Sequence, residues 1–323
     1  LTHKEFKLLD HGYVKLVDHM GSDLAPLEAA RMSTDSATGV DEDKDDRLRT
    51  RLWGDKHTSP FEMNEVVFEI QCPMFVLRQL DRHRTATIDN SSAYFENYDE
   101  FRKYTNRNEF SGRYSKMPDL YYIPPVERIR AKSKANKQGS AEPLELEAQQ
   151  MVCNVIETTT AVIRQAYETI VEEGVATEIA RLPLPQNQYT KIRIKASLLH
   201  WLKFFDLRLR GDVQEETRSY AQAMAWVVRG LWPKCWDVFE EHNLYGAQLS
   251  RRDRQVVHEW IVAMDVYHED SDRTADAPMD VFRLAAQGFG YNKRQREDLL
   301  RKLEGPEDDL MTLTSCVSFI DVE

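Results

Sequence analysis

The sequence predicts an α+β fold, and three observations carry that reading. Residues 142–173 hold a long amphipathic helical pattern, residues 65–71 and 188–194 read as strands, and residues 197–209 and 213–242 return to helical spacing. Long helices alternating with so few strands argue against a parallel doubly wound sheet. A chain of 323 residues, 41% of them hydrophobic, can bury the core of one large domain or two small ones.

In chain order, residues 13–17 read as a short strand and residues 23–33 as a helix entered through a polar cap and Pro26. Residues 35–46 are polar and acidic, which predicts a loop. After the strand at 65–71, Pro73 suits the first turn of a helix running to about Arg82. On that helix Arg78 and Arg82 share a face, as do Gln79 and His83, and Gln79 and Arg82 can reach one ligand. Tyr94, Tyr98 and Phe101 have the spacing of a small amphipathic helix, which serves either as a packing stripe or as a lid. Arg128, Arg130, Lys132, Lys134 and Lys137 stand among small polar residues and predict an exposed basic loop over 128–140. Residues 245–323 read as a helical extension of a domain that ends at 244. Gly288-Phe289-Gly290 lacks the third glycine of a dinucleotide loop, and His258-Glu259 lacks the second histidine of a metalloprotease helix. No chemistry is assigned to that extension.

Bulk properties exclude several classes. A formal net charge of −11 argues against general nucleic-acid binding, which draws its affinity from basic surface. No stretch approaches the roughly 18 apolar residues a membrane span requires, and the first residues lack a signal-peptide pattern, so a cytoplasmic location is expected. Cys72, Cys153, Cys235 and Cys316 are scattered without a CxxC pair, which predicts buried thiols and no metal site.

Chemistry concentrates in a few runs: His57-Thr58-Ser59-Pro60-Phe61-Glu62, Arg82-His83-Arg84, Asn108-Glu109-Phe110-Ser111-Gly112-Arg113-Tyr114-Ser115, Ala180-Arg181-Leu182-Pro183, and an Arg-x5-Gln-x-Glu stretch from Arg208 to Glu216. Their guanidinium, imidazole and hydroxyl groups suit an anionic nucleotide and a second ligand. In this order the runs resemble the flavin-dependent thymidylate synthases, whose signature is Arg-His-Arg, seven residues and a serine. A literal count reaches Ser92, but only Ser111 stands in the family's Asn-Glu-x-Ser-x-Arg-Tyr context. Removing the nineteen residues 89–107 restores the spacing to Ser111, so that segment is read as an insertion. The resemblance fades after about Glu241.

The resemblance implies an enzyme built of long helices on a mixed or antiparallel sheet, using FAD to methylate dUMP to dTMP. It implies 5,10-methylenetetrahydrofolate as carbon donor, NADPH as reductant, and a homotetramer with composite sites. Residue by residue, Gln79, Arg82, Glu109, Phe110, Ser111, Gly112 and Arg113 would line the nucleotide, with Arg181 supplied by a neighbouring subunit. Ser59, Arg82, His83, Arg84 and Glu109 would meet the flavin. Arg208 would activate the pyrimidine through fixed positive charge. His57 would either assist hydride or carbon transfer or serve as a structural histidine. Two departures stand out: Ser197 and Leu199 occupy the positions of the family's flavin-holding Asn-x-Arg pair, and Asp212 and Met63 replace common histidines. They imply a divergent member, with a viral source among the possibilities. Methylation of dCMP, release of a hydroxymethyl product, and a catalytically silent nucleotide-binding homologue remain open.

Overall fold

A computed structural model describes residues 4–34, 37–83, 107–134, 139–268, 277–304 and 317–321. Arg84, Ser92, Cys316 and the Tyr94, Tyr98, Phe101 pattern lie outside the described residues.

Strands β1 (Lys4–Leu8), β2 (Gly12–Met20), β3 (Glu65–Pro73), β4 (Arg107–Glu109), β7 (Tyr189–Ser197) and β8 (Val317–Asp321) form a sheet of order β4-β7-β3-β2-β1-β8. Every neighbouring pair is antiparallel. Strands β5 (Arg130–Lys132) and β6 (Ser140–Pro143) pair separately as a small antiparallel ribbon. The period of two along β3 separates its faces. Val66, Phe68, Ile70 and Cys72 are buried on one side. On the other, Glu69 accepts from Arg193 and from the Tyr13 hydroxyl, and Glu65 accepts from Lys195.

Helices cover the apolar face. Helix α6 (Leu198–Arg208) buries Leu198, Leu199, Trp201, Leu202, Phe204 and Phe205, with Trp201 edge-on to Phe68 at 5.2 Å between ring centroids. Helix α7 (Glu215–Leu231) is buried along most of its length, with Ala221, Ala223 and Ala225 among its buried side chains. The Tyr220 hydroxyl of α7 donates to the Gln71 carbonyl at 2.7 Å, and a Cβ at position 12 would lie 2.0 Å from that hydroxyl, which is why Gly12 stands there. The remaining helices of this unit are α1 (Ala25–Arg31), α2 (Glu42–Gly54), α3 (Met74–Leu80), α4 (Leu146–Glu172), α5 (Thr177–Ala180) and the start of α8 (Pro233–Phe239).

Several expectations need correction. The acidic loop expected at 35–46 gives way to α2 from Glu42, because the Asp41 side chain caps it by accepting from the Lys44 amide at 3.1 Å. The helix expected over 213–242 breaks at Trp232, whose φ of −137° and ψ of 68° are extended as the following Pro233 demands. The basic loop holds the β5 and β6 ribbon, and Arg128 within it is engaged by acidic partners. Residues 245–323 are not wholly helical, since β8 pairs with β1 from Lys4↔Asp321 to Leu8↔Val317.

The chain divides into two compact units. The first runs through Val238 and includes β8; the second begins at Phe239. In the second, α9 (Arg251–His268), α10 (Ala277–Gly288) and α11 (Lys293–Glu304) pack around Val256, Phe282, Ala286 and Leu299.

Candidate functional site

Two helix ends meet to make the centre of the site. His83 follows the end of α3, its amide bonded to the Leu80 carbonyl at 3.1 Å, and Arg208 closes α6. Arg208 Nε donates to His83 Nε2 at 2.8 Å, and the imidazole lies edge-on to Phe204 at 4.9 Å. Burial, then the neighbouring charge of Arg208, lowers the His83 pKa to about 4, and burial also lowers that of Arg208. A neutral imidazole accepting at Nε2 carries its proton on Nδ1, so His83 positions Arg208 and keeps one N–H to donate.

An NMR titration should therefore find His83 titrating near 4, and Arg208→Ala should move it upward. Because the folded value lies below the ordinary 6.5, the unfolded chain binds the extra proton first as pH falls. Stability should decline from about pH 6.5 toward pH 4. An ordinary histidine value would remove the neutral-acceptor assignment.

A hydrogen-bonded chain leads away from this pair. Gln79 donates to Gln214 Oε1 at 2.6 Å, and Gln214 donates to Glu216 Oε2 at 2.9 Å. Buried Glu216 also accepts from Arg128 Nε at 2.8 Å, Arg128 Nη2 at 3.1 Å and the Tyr122 hydroxyl at 3.1 Å. Burial works against the Arg128 charge, but the hydrogen bonds and charges of Glu216 and Glu215 raise its pKa overall. Sequence reasoning gave no role to Gln214, Glu216 or Arg128, although the Gln-x-Glu spacing was the available signal.

The serine run is positioned by the sheet edge. Glu109 pairs with Ile192 on β7, and its carboxylate accepts from Thr190 Oγ1 at 3.2 Å and Arg107 Nη2 at 3.3 Å. Arg107 also binds Asp81 at the end of α3. Arg107, read as the last insertion residue, is thus a strand residue joining the two halves of the signature. Beyond it, Arg78, Glu109, Phe110, Gly112 and Arg181 line a cavity of about 150 Å³. A Cβ on Gly112 would lie 2.8 Å from Met117 Sδ and 3.3 Å from the Arg181 side chain. Ser111 Oγ accepts from the Arg113 amide at 3.3 Å, and Arg113 pairs with Glu178 at 3.5 Å.

Other expected residues stand apart. His57 and Ser59 are exposed at the entry to a 3-10 turn (Ser59–Met63), with no hydrogen bond to the Arg208 and His83 pair among the described residues. Arg82 is exposed beside His83. Ser197 Oγ lies 3.0 Å from His200 Nδ1, and Leu199 is buried in the α6 core. Cys72, Cys153 and Cys235 are buried, and burial raises the Cys72 and Cys235 pKa values far from thiolate formation. No group of three or more potential metal ligands occurs among the described residues.

Comparison with known proteins identifies the family. The family model of the thymidylate synthase complementing protein matches residues 15–234. The flavin-dependent thymidylate synthase of Wolbachia pipientis wMel is 34% identical over 272 residues, covering 84% of this chain and 89% of that one. That of Thermus thermophilus is 34% identical over 303 residues, covering 94% of this chain and 97% of its own. Likeness of that length reaches past Glu241, where the sequence resemblance had been read to fade. The solved UMP/dUMP methylase PolB from Streptomyces cacaoi, bound with 5-Br dUMP, superposes with a TM-score of 0.60 at 27% identity, covering 72% of this chain and 96% of that one. A family match spanning both halves of the signature, and relatives covered almost end to end, make this chain a member of the flavin-dependent thymidylate synthase family.

Proposed function

We propose that the protein methylates dUMP to dTMP with FAD, taking the carbon from 5,10-methylenetetrahydrofolate and reducing equivalents from NADPH. The observation that carries this reading is Arg208, half-buried and positioned by a neutral His83. A fixed guanidinium there stabilises negative charge developing on the pyrimidine, and it does so more effectively away from water. Gln79, Arg82, Glu109, Phe110, Ser111, Gly112 and Arg113 hold the nucleotide together with Arg181, which lines the cavity beside Glu109 and Gly112 of its own chain and so is not needed from a neighbouring subunit. The cavity beside Glu109 and Arg181 supports that grouping.

The donor chemistry near His83 fits a flavin dinucleotide. The Arg82 guanidinium and the remaining N–H of His83 suit phosphate and ring acceptors, with Ser59, Arg84 and Glu109 completing the set. Ser197 and Leu199 take no part, since one lies against His200 and the other is in the core. Bound FAD would supply the reducing chemistry of the reaction. His57 is exposed and free to approach the one-carbon donor.

The purified protein should be yellow and should convert dUMP to dTMP when given the folate and NADPH. dCMP and UMP belong in the same assay, because the solved relative is a UMP/dUMP methylase and a single hydrogen-bonding group can separate uracil from cytosine. Mass spectrometry of the product separates methyl from hydroxymethyl. A colourless protein without turnover on any of the three would leave a silent nucleotide-binding homologue.

A homotetramer, cytoplasmic in location and without nucleic-acid partners, completes the proposal. Met151, Val155 and Val162 on one side of α4 are 59%, 59% and 62% exposed in the single chain, a stripe suited to packing against another copy. Light scattering should give a tetramer, and Val155→Glu should weaken it. A monomer with full activity would refute the composite site.

A further inference from the structure

A second cavity, of about 500 Å³, lies between the β5 and β6 ribbon and the loop joining α6 to α7. That is within the size range of small-molecule sites. Its charged lining is Arg128, Arg130, Arg218, Asp212 and Glu215. Arg128 is engaged by Glu216 and Glu215. Arg130 and Arg218 are paired with no carboxylate among the described residues. Arg218 Nη1 reaches only the Gly211 carbonyl, at 3.4 Å, and its Nε is buried without a hydrogen-bond partner among the described residues. An unsatisfied buried donor costs stability that an anionic ligand would recover. Asp212 opposes such a ligand from an exposed position, while Glu215 is turned to Arg128, so Arg130 and Arg218 are the cations available to a ligand in a chain whose formal net charge is −11. The Ser140 hydroxyl, which accepts from Arg128 at 3.3 Å, adds a neutral polar group.

This cavity shares a wall with the proposed nucleotide site. Gln214 lines it, and the same side chain accepts from Gln79. A co-substrate whose reacting end meets the nucleotide or the flavin beside it could therefore place its far end here. We propose that the cavity binds the anionic tail of a co-substrate through Arg130 and Arg218. This rests on the reading of the protein as a folate- and NADPH-using enzyme, since two sources supply such a tail: the 2′-phosphate of the nicotinamide dinucleotide and the glutamate carboxylates of a folate.

The test uses the flavin-loaded protein with Arg130→Gln and Arg218→Gln. Inorganic tripolyphosphate, titrated calorimetrically, should bind the wild type and weaken at least tenfold in either variant. In steady-state kinetics at unchanged kcat, a tenfold rise in KM for NADPH with NADH unaffected identifies the phosphate. The same rise for triglutamyl but not monoglutamyl methylenetetrahydrofolate identifies the carboxylates. Should Arg218→Gln fail to fold, exposed Arg130 carries the test alone. Tripolyphosphate that binds wild type and variants equally, or not at all, overturns the proposal, as does a KM unchanged for all four co-substrates. A wild type without turnover refutes the enzymatic reading instead, and the tripolyphosphate titration still decides the site.

Discussion

Arg208→Ala is expected to lower kcat/KM at least a hundredfold while the protein stays folded and retains its flavin. Arg208 closes α6, and the helix is secured by Trp201, Phe204 and Phe205 in the core, so its last side chain is dispensable for folding. The loss is electrostatic. A preorganised donor aimed at developing charge contributes on the order of 3 kcal/mol, which matches the expected rate effect. Arg208→Lys should recover only part of the activity, because an ammonium keeps the charge but lacks the planar fork that reaches His83 and a base together. The measurements are steady-state kinetics, flavin absorbance and a thermal melt on the same preparations. Full activity in Arg208→Ala would mean that another cation activates the pyrimidine.

The parts of the fold written in local pattern were legible in the sequence. Strands β3 and β7 alternate because one face is buried and the other carries Glu65, Glu69, Arg193 and Lys195. The central helices were legible too, though not the break before Pro233. Strands β4 and β8 were not legible, for they are short edge strands whose existence depends on β7 and β1 as partners. Arg107 and Arg128 show the same limit in the site. The first reads as the end of an insertion and the second as part of an exposed basic loop, and each is defined by partners remote in sequence, Asp81 for the first and Glu216 for the second. Motif reading named Arg208 and His83 separately, but only the fold brings their nitrogens to 2.8 Å and makes one the support of the other.

Glu216 should prove the most destabilising single change in the site. Its side chain is 5% exposed and holds Arg128, itself 17% exposed, together with the Tyr122 hydroxyl and the Gln214 amide. Removing the carboxylate in Glu216→Ala strands a largely buried guanidinium, with Glu215 at 3.5 Å as its remaining acidic partner, and takes away an acceptor of the Tyr122 hydroxyl and the Gln214 amide. Breaking a buried pair from one side costs about 3 kcal/mol or more. Glu216→Gln keeps the shape and some hydrogen bonds and should cost less, about 1 to 2 kcal/mol. Both variants also release Gln214 from one end, which loosens the hold on Gln79, so the nucleotide KM should rise more than kcat falls. The decisive comparison is a double-mutant cycle with Arg128→Met, followed by denaturant unfolding. If the pair acts as a unit, the double variant should be more stable than the sum of the single losses by about 2 kcal/mol. Strict additivity would show that Glu216 and Arg128 lie together without supporting each other.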